Sequence, residues 1–209
     1  PAGLRQALRG LRVEPPDGFA AAVLHRLGLP AADVDRYVLL DGPTGPLFVA
    51  FNDHGVSHVV PAGVVDGDAE RFRARFRERF GRDVVPAHRP PPGLAAALRE
   101  GRGRQLSFDL RRLTEFARAT LTKAQDIPRG QVRAYAWVAR EIGRPGAVRA
   151  VGSALARNPV PVLIPCHRVV RSDGTVGSYA FGSAAKRALL EHEGVDLATL
   201  SGAGDRGPR

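Results

Sequence analysis

The sequence predicts an α/β chain in two parts. A small antiparallel sheet with helices comes first, and a mainly helical part with a helix-turn-helix outline and a thiol follows. Three observations carry this. The β-rich runs RYVLL (36–40), LFVAFN (47–52) and VSHVV (56–60) follow one another across short Gly-bearing turns, which is the pattern of an antiparallel meander. In DAERFRARFRERFG the phenylalanines recur every fourth residue, at Phe72, Phe76 and Phe80, which makes one apolar stripe on a helix. From about Leu113 the segments turn helical and lead to the sole cysteine.

Taken in order, residues 1–30 read as one or two short helices broken at Pro15-Pro16, and they form a helical extension over 1–34. DGPTGP and DHG are the turns of the meander. The Phe-striped helix carries five arginines around its apolar face. Such a run suits nucleic acid, but a solvated helix face accounts for it more simply. PAHRPPPG (86–93) breaks the chain, LAAALRE is a short helix, and QLSFDL is a further strand candidate. A boundary falls near residue 110, giving units over 35–109 and 110–196. In the second unit LTEFARATLTKAQDI is helical and IPRG stops it. AYAWVAREIG (134–143) and VRAVGSALARN (148–158) are helices joined by the Gly/Pro turn GRPGA, the outline of a helix-turn-helix. The tail over 197–209, ending SGAGDRGPR, is expected to be disordered. His54 and His58 have the spacing of a metal pair, but in a strand their Cα atoms stand about 13 Å apart, so they are read as surface or turn histidines.

Composition bounds the function. With 209 residues the chain can bury a substantial core. One cysteine excludes an intramolecular disulfide and a multi-cysteine zinc cluster, and it fits a reducing, cytoplasmic setting. No apolar stretch approaches the roughly 20 residues of a membrane span, and PAGLRQALRG lacks the apolar core of a signal peptide. The net charge of +10 attracts polyanions, DNA among them. An Arg-rich composition with no ligand would give the same number.

The thiol lies in NPVPVLIPCHRVV, where Cys166 directly precedes His167 and prolines at 159, 161 and 165 stiffen the approach. A thiol is a strong nucleophile only as thiolate, and an imidazole is its usual activator. Most lone cysteines are inert core residues, but an inert one needs no rigid delivery segment. Upstream, the second helix of the pair presents Ala150, Gly152, Ser153, Ala154 and Ala156 with one long cation, Arg149. Small side chains permit a close approach, to DNA or to another helix.

The run NPVPVLIPCHRVV followed by GTVGSYAFGSAAKRALLEHEG resembles the active-site region of the O6-alkylguanine-DNA alkyltransferases, with the Pro-Cys-His-Arg core the most specific part. The likeness runs from about residue 110 to Gly194. The resemblance implies a ribonuclease-H-like N-terminal ridge and no cofactor, and the cysteines that hold zinc in some members are absent. It makes Cys166 the alkyl acceptor, and His167 the base that forms the thiolate through a bound water. Glu193 would orient that histidine, and Asn158 would tie the active-site turn to the recognition helix. Tyr135 would assist the departing guanine. Arg149 would fill the gap left by the flipped base, with Ala150, Gly152 and Ser153 on the DNA-facing helix. Tyr179, Ala180 and Val169 would wall the substrate pocket, Ala180 standing where many members have Ser. The implied reaction is irreversible transfer of an alkyl group from O6-alkylguanine (or O4-alkylthymine) in double-stranded DNA, by a monomer acting once. Two other classes compete. A module that recognises damage without transferring would lack Cys166. A cysteine hydrolase usually separates its Cys and His, whereas neighbours in an extended segment point apart.

Overall fold

A computed structural model of the chain describes residues 34–101 and 103–202. The helices expected around Pro15-Pro16 lie outside the described residues. The meander forms as β1 (Asp35–Gly42), β2 (Gly45–Asn52) and β3 (Gly55–Pro61). A short strand that the sequence reading did not anticipate, β4 (Val84–Pro86), adds parallel to β1, giving the order β3-β2-β1-β4.

Alternation along β2 buries both faces of the sheet. Phe48 and Ala50 face helix α1 (Ala69–Phe80), where Phe72 and Phe76 are fully buried. Leu47, Val49 and Phe51 face the main core, which holds residues of both halves, from Val38 to Cys166 and Leu189. One buried cluster therefore runs across the boundary expected near residue 110. Asp68 caps α1 by accepting from the Glu70 and Arg71 amides. On the outer face Arg71 pairs with Asp66, Arg73 with Glu70 and Arg77 with Asp83.

The breaker leads into α2 (Leu94–Glu100). QLSFDL does not become a strand. It touches the sheet at one bridge, Val56 with Phe108, because the chain packs directly against Gly55. A β-carbon on Gly55, at φ +124°, would sit 2.2 Å from the Ser107 carbonyl oxygen. Then come α3 (Glu115–Gln125), capped by Thr114, and the helical pair α4 (Tyr135–Glu141) and α5 (Val148–Ala156). Strand β5 (Arg133–Ala134) pairs parallel with β6 (Val169–Val170), stitching the thiol segment to the start of α4. Helix α6 (Ser183–His192) follows.

Two sequence expectations are corrected. The tail does not lose order at 197: Leu197–Gly202 is a 3-10 helix that buries Leu200, an apolar anchor among small residues, and residues 203–209 lie outside the described chain. His58 is not at the surface. It is 2% exposed, packed against Phe72, Phe76 and Phe80. Among the described residues, no helix is long and apolar enough to cross a membrane.

Candidate active site

The thiol is delivered by a segment that bonds to itself. The Asn158 side-chain oxygen accepts from the Val160 amide at 2.9 Å, and its amide nitrogen donates to the Ile164 carbonyl at 2.9 Å and to Cys166 Sγ at 3.2 Å. Asn158 therefore folds the loop and touches the Cys166 sulfur with one amide group. Val162 sits at φ +74°, a conformation that costs a β-branched residue on the order of 1–3 kcal/mol and persists only when its surroundings enforce it. Part of that enforcement comes from the N-terminal sheet. The Pro159 carbonyl accepts from the Val59 amide at 2.9 Å and faces His58 Nδ1 at 2.8 Å. Burial pushes the His58 pKa down to about 3, so the ring is neutral and donates through Nδ1.

Cys166, His167 and Arg168 form a 3-10 turn, not the extended segment assumed from sequence. His167 Nε2 lies 3.0 Å from Glu193 Oε1. Burial raises the Glu193 pKa, but the hydrogen bonds from His167 and Arg168 outweigh it and bring it to about 2. An ionised carboxylate only accepts, so Nε2 carries the hydrogen and Nδ1 carries the lone pair. Nδ1 is buried and has no partner among the described residues. Burial also lowers the imidazole pKa, with Glu193 pulling the other way. The ring is thus a neutral base with a free lone pair.

Two cations that sequence reasoning missed complete the buried shell. Arg168 grips Glu193 through two bonds of 2.8 Å and donates to the Ile127 and Gly101 carbonyls at 2.7 and 2.9 Å. Lys186 is fully buried, donates to the Val169 carbonyl at 2.5 Å and lies 5.7 Å from the Tyr135 ring centroid. Burial lowers its pKa to about 8, opposed by a negative Cys166. The Pro-Cys-His-Arg run was the available signal for Arg168, while nothing in the sequence marks Lys186 as buried.

Cys166 itself is 4% exposed, and burial raises its pKa, with the Asn158 bond and Lys186 acting in the opposite direction. The sulfur nevertheless lines an open cavity of about 600 Å³ with Tyr135, Arg149, Gly152, Ser153 and Tyr179, a size suited to a small organic group. Tyr135 and Tyr179 are held above their usual pKa, first by burial and then by a charge on Cys166, so both phenols stay protonated. Gly177, at φ +71°, lets its backbone approach the Tyr135 hydroxyl. The Tyr179 hydroxyl is buried without a partner among the described residues.

The fold thus gathers Cys166, Tyr135, Arg149, Gly152, Ser153 and Tyr179 on one cavity and sets Asn158, His167 and Glu193 in its buried surroundings. Two expected pocket residues fall elsewhere. Ala180 is exposed and off the wall, and Val169 is buried with its carbonyl bonded to Lys186; Ala150, expected on the DNA-facing helix, is exposed on α5 outside the cavity lining.

Comparison with known proteins identifies the family. Residues 115–195 match the family model described as 6-O-methylguanine DNA methyltransferase, DNA binding domain. A methylated-DNA–protein-cysteine methyltransferase of Methanosarcina barkeri is 34% identical over 174 residues, covering 77% of this chain and 98% of that protein. The protein of the same name from Methanothermobacter thermautotrophicus is 46% identical over 100 residues, 46% of this chain and 56% of that protein's length. The crystal structure of Mycobacterium tuberculosis OGT in complex with DNA is 29% identical, with a TM-score of 0.56 over 80% of this chain and 98% of that one. Sequence, fold and site together place the chain in the methylated-DNA–protein-cysteine methyltransferase family.

Proposed function

We propose that this protein repairs O6-alkylated guanine in double-stranded DNA by moving the alkyl group onto Cys166, once per molecule. The observation that carries the reading is the placement of Cys166 Sγ. It is bonded to Asn158, near a neutral buried imidazole, and open to a cavity walled by the small-residue face of α5.

In this reading α4 and α5 act as a helix-turn-helix, and the sheet with α1 forms a ribonuclease-H-like ridge beneath the site. Gly152 and Ser153 let the helix sit close to the duplex. Arg149 is exposed at the cavity with no carboxylate partner among the described residues, so its side chain is free to enter the base stack. The target base must leave the duplex to reach the sulfur, at a cost of a few kcal/mol that is smaller for a damaged pair. The Cys166 proton passes through a water to His167 Nδ1, and the Glu193 carboxylate stabilises the resulting imidazolium. The thiolate attacks the alkyl carbon, an S–C bond forms, and the C–O6 bond breaks with its electron pair going to guanine. Tyr135, kept protonated, donates toward the departing base. The product is a thioether that nothing in the site reverses, so the protein is consumed. No step needs a cofactor. The reading places a monomer in the cytoplasm. The M. tuberculosis relative crystallised in complex with DNA supports DNA as the partner.

The test is peptide mapping after incubation with duplex DNA carrying labelled O6-methylguanine. The reading expects label on the peptide containing Cys166. Unlabelled protein, or label elsewhere, would sink it. Arg149→Ala should slow repair in duplex more than reaction with a free modified base, and equal slowing would refute the flipping role.

A further inference from the structure

The five arginines of α1 divide into two sets. Arg71, Arg73 and Arg77 are ion-paired with Asp66, Glu70 and Asp83. Arg75 and Arg79 have no carboxylate partner among the described residues, although Glu78 is one turn away, and both are exposed. They are also near each other: the pKa of Arg79 is lowered, first by desolvation and then by Arg75.

This unpaired pair is continuous with the active-site cavity. Ser153 lines the cavity, and its carbonyl accepts from Arg157 Nε at 3.2 Å. The Arg157 carbonyl, just past the end of α5, accepts from Arg79 Nη2 at 2.9 Å. On the other side Arg112 Nη1 donates to the Phe80 carbonyl at the end of α1, at 2.7 Å. Arg79, Arg112 and Arg157 therefore meet where α1 and α5 end, with Arg75 one turn back on α1 beside Arg79. Capping of helix ends by cations explains one hydrogen bond each for Arg79 and Arg112. It uses one of the five N–H donors on each group, and it gives no role to Arg75. Crowded like charges without counter-charges disfavour the isolated protein and favour an anionic ligand.

We propose that Arg75, Arg79, Arg112 and Arg157 form a second phosphate-binding corner, by which the N-terminal half grips the DNA backbone beyond the flipped nucleotide. The proposal rests on the duplex-DNA reading above. Arg149 and Arg157 are eight positions apart on and just beyond α5, about 12 Å of helix rise, or roughly three to four base pairs at about 3.4 Å each. The corner therefore meets phosphates flanking the lesion and carries no sequence readout.

The experiment measures the dissociation constant of the full chain for an O6-methylguanine duplex between about 50 and 200 mM salt. Arg75→Gln and Arg79→Gln should each lower the slope of log Kd against log salt by about 0.9, the value of one lost phosphate contact. Arg71→Gln and Arg77→Gln, on the same helix but already paired, should leave it unchanged. Thermal melting checks that each variant is folded, and Arg75 carries the decision because it makes no packing bond that its loss could disturb. A wild-type slope in Arg75→Gln and Arg79→Gln overturns the proposal. Equal loss in the paired arginines also overturns it, because bulk charge would then explain the effect. So does a loss confined to single-stranded RNA with the duplex slope intact, which would assign the corner to a different polyanion. A wild-type protein with no salt-dependent duplex binding refutes the DNA reading itself, a separate outcome.

Discussion

Two buried charged networks sit in this molecule, one in each half, and they differ in an instructive way. In the N-terminal sheet Asp35 is fully buried and accepts from Asn52 and Ser57, while its other oxygen faces Arg82. Asp109 joins from the linker through Asn52, Arg82 and Arg111. In the C-terminal half Glu193 holds His167 and Arg168 beside Cys166. Each network centres on a buried carboxylate that faces an arginine. The first is an ion-pair cluster in which carboxylate and cation face each other, and none of its members lines the thiol cavity. The second keeps a buried lone pair on His167 Nδ1 and a sulfur at an opening. A buried charge by itself marks a fold, whereas an idle polar atom next to an opening marks chemistry.

The largest expected effect removes the reacting atom. Cys166→Ala should abolish transfer while duplex binding persists in a gel-shift assay, and any residual transfer would break the comparison. Next, Glu193→Gln and Asp35→Asn each strip the carboxylate from an arginine, the buried Arg168 or the half-buried Arg82. Each should cost about 3–5 kcal/mol in denaturant unfolding. At a temperature where both variants remain folded, only Glu193→Gln should slow transfer, and equal slowing would erase the distinction between the networks. The sign with pH follows from Glu193. Its folded pKa of about 2 lies below the ordinary 4.5, so its contribution is present above about pH 4.5 and is lost as pH falls from there toward 2. Stability measured across that window should drop more steeply in the wild type than in Glu193→Gln.

A smaller effect is expected at Asn158→Ala, which removes the side-chain donor to Sγ. The thiol pKa, already raised by burial, should rise further, and alkylation by iodoacetamide at neutral pH should slow about tenfold. An unchanged pH profile would show that the amide only shapes the loop. The smallest effect is expected at Ala180→Ser. Residue 180 is exposed and off the cavity wall, so the transfer rate should stay within about twofold. A large gain would place the wall elsewhere than the cavity described.

The sequence made some of this legible and hid the rest, for physical reasons. The meander was readable because Gly-bearing turns punctuate apolar runs, and α1 because phenylalanines at spacing four can face only one way on a helix. β4 was hidden because three residues ending in proline carry no periodicity. The thiol site was readable from Cys166, His167 and the distant Glu193 through a family resemblance. Composition could not have placed Glu193, since helix α6 brings it back across 26 positions. Lys186 and His58 were misjudged or missed for one reason: their burial depends on partners far along the chain. His58 finds Pro159 from 101 residues away, and no local pattern encodes that meeting.

The central claim is that one sulfur is consumed once. Titrating the protein with an excess of O6-methylguanine duplex and counting methyl groups per chain tests it directly. The account predicts a plateau at one methyl group, absent in Cys166→Ala. Transfer that continues past one equivalent, with regenerated thiol, would contradict it.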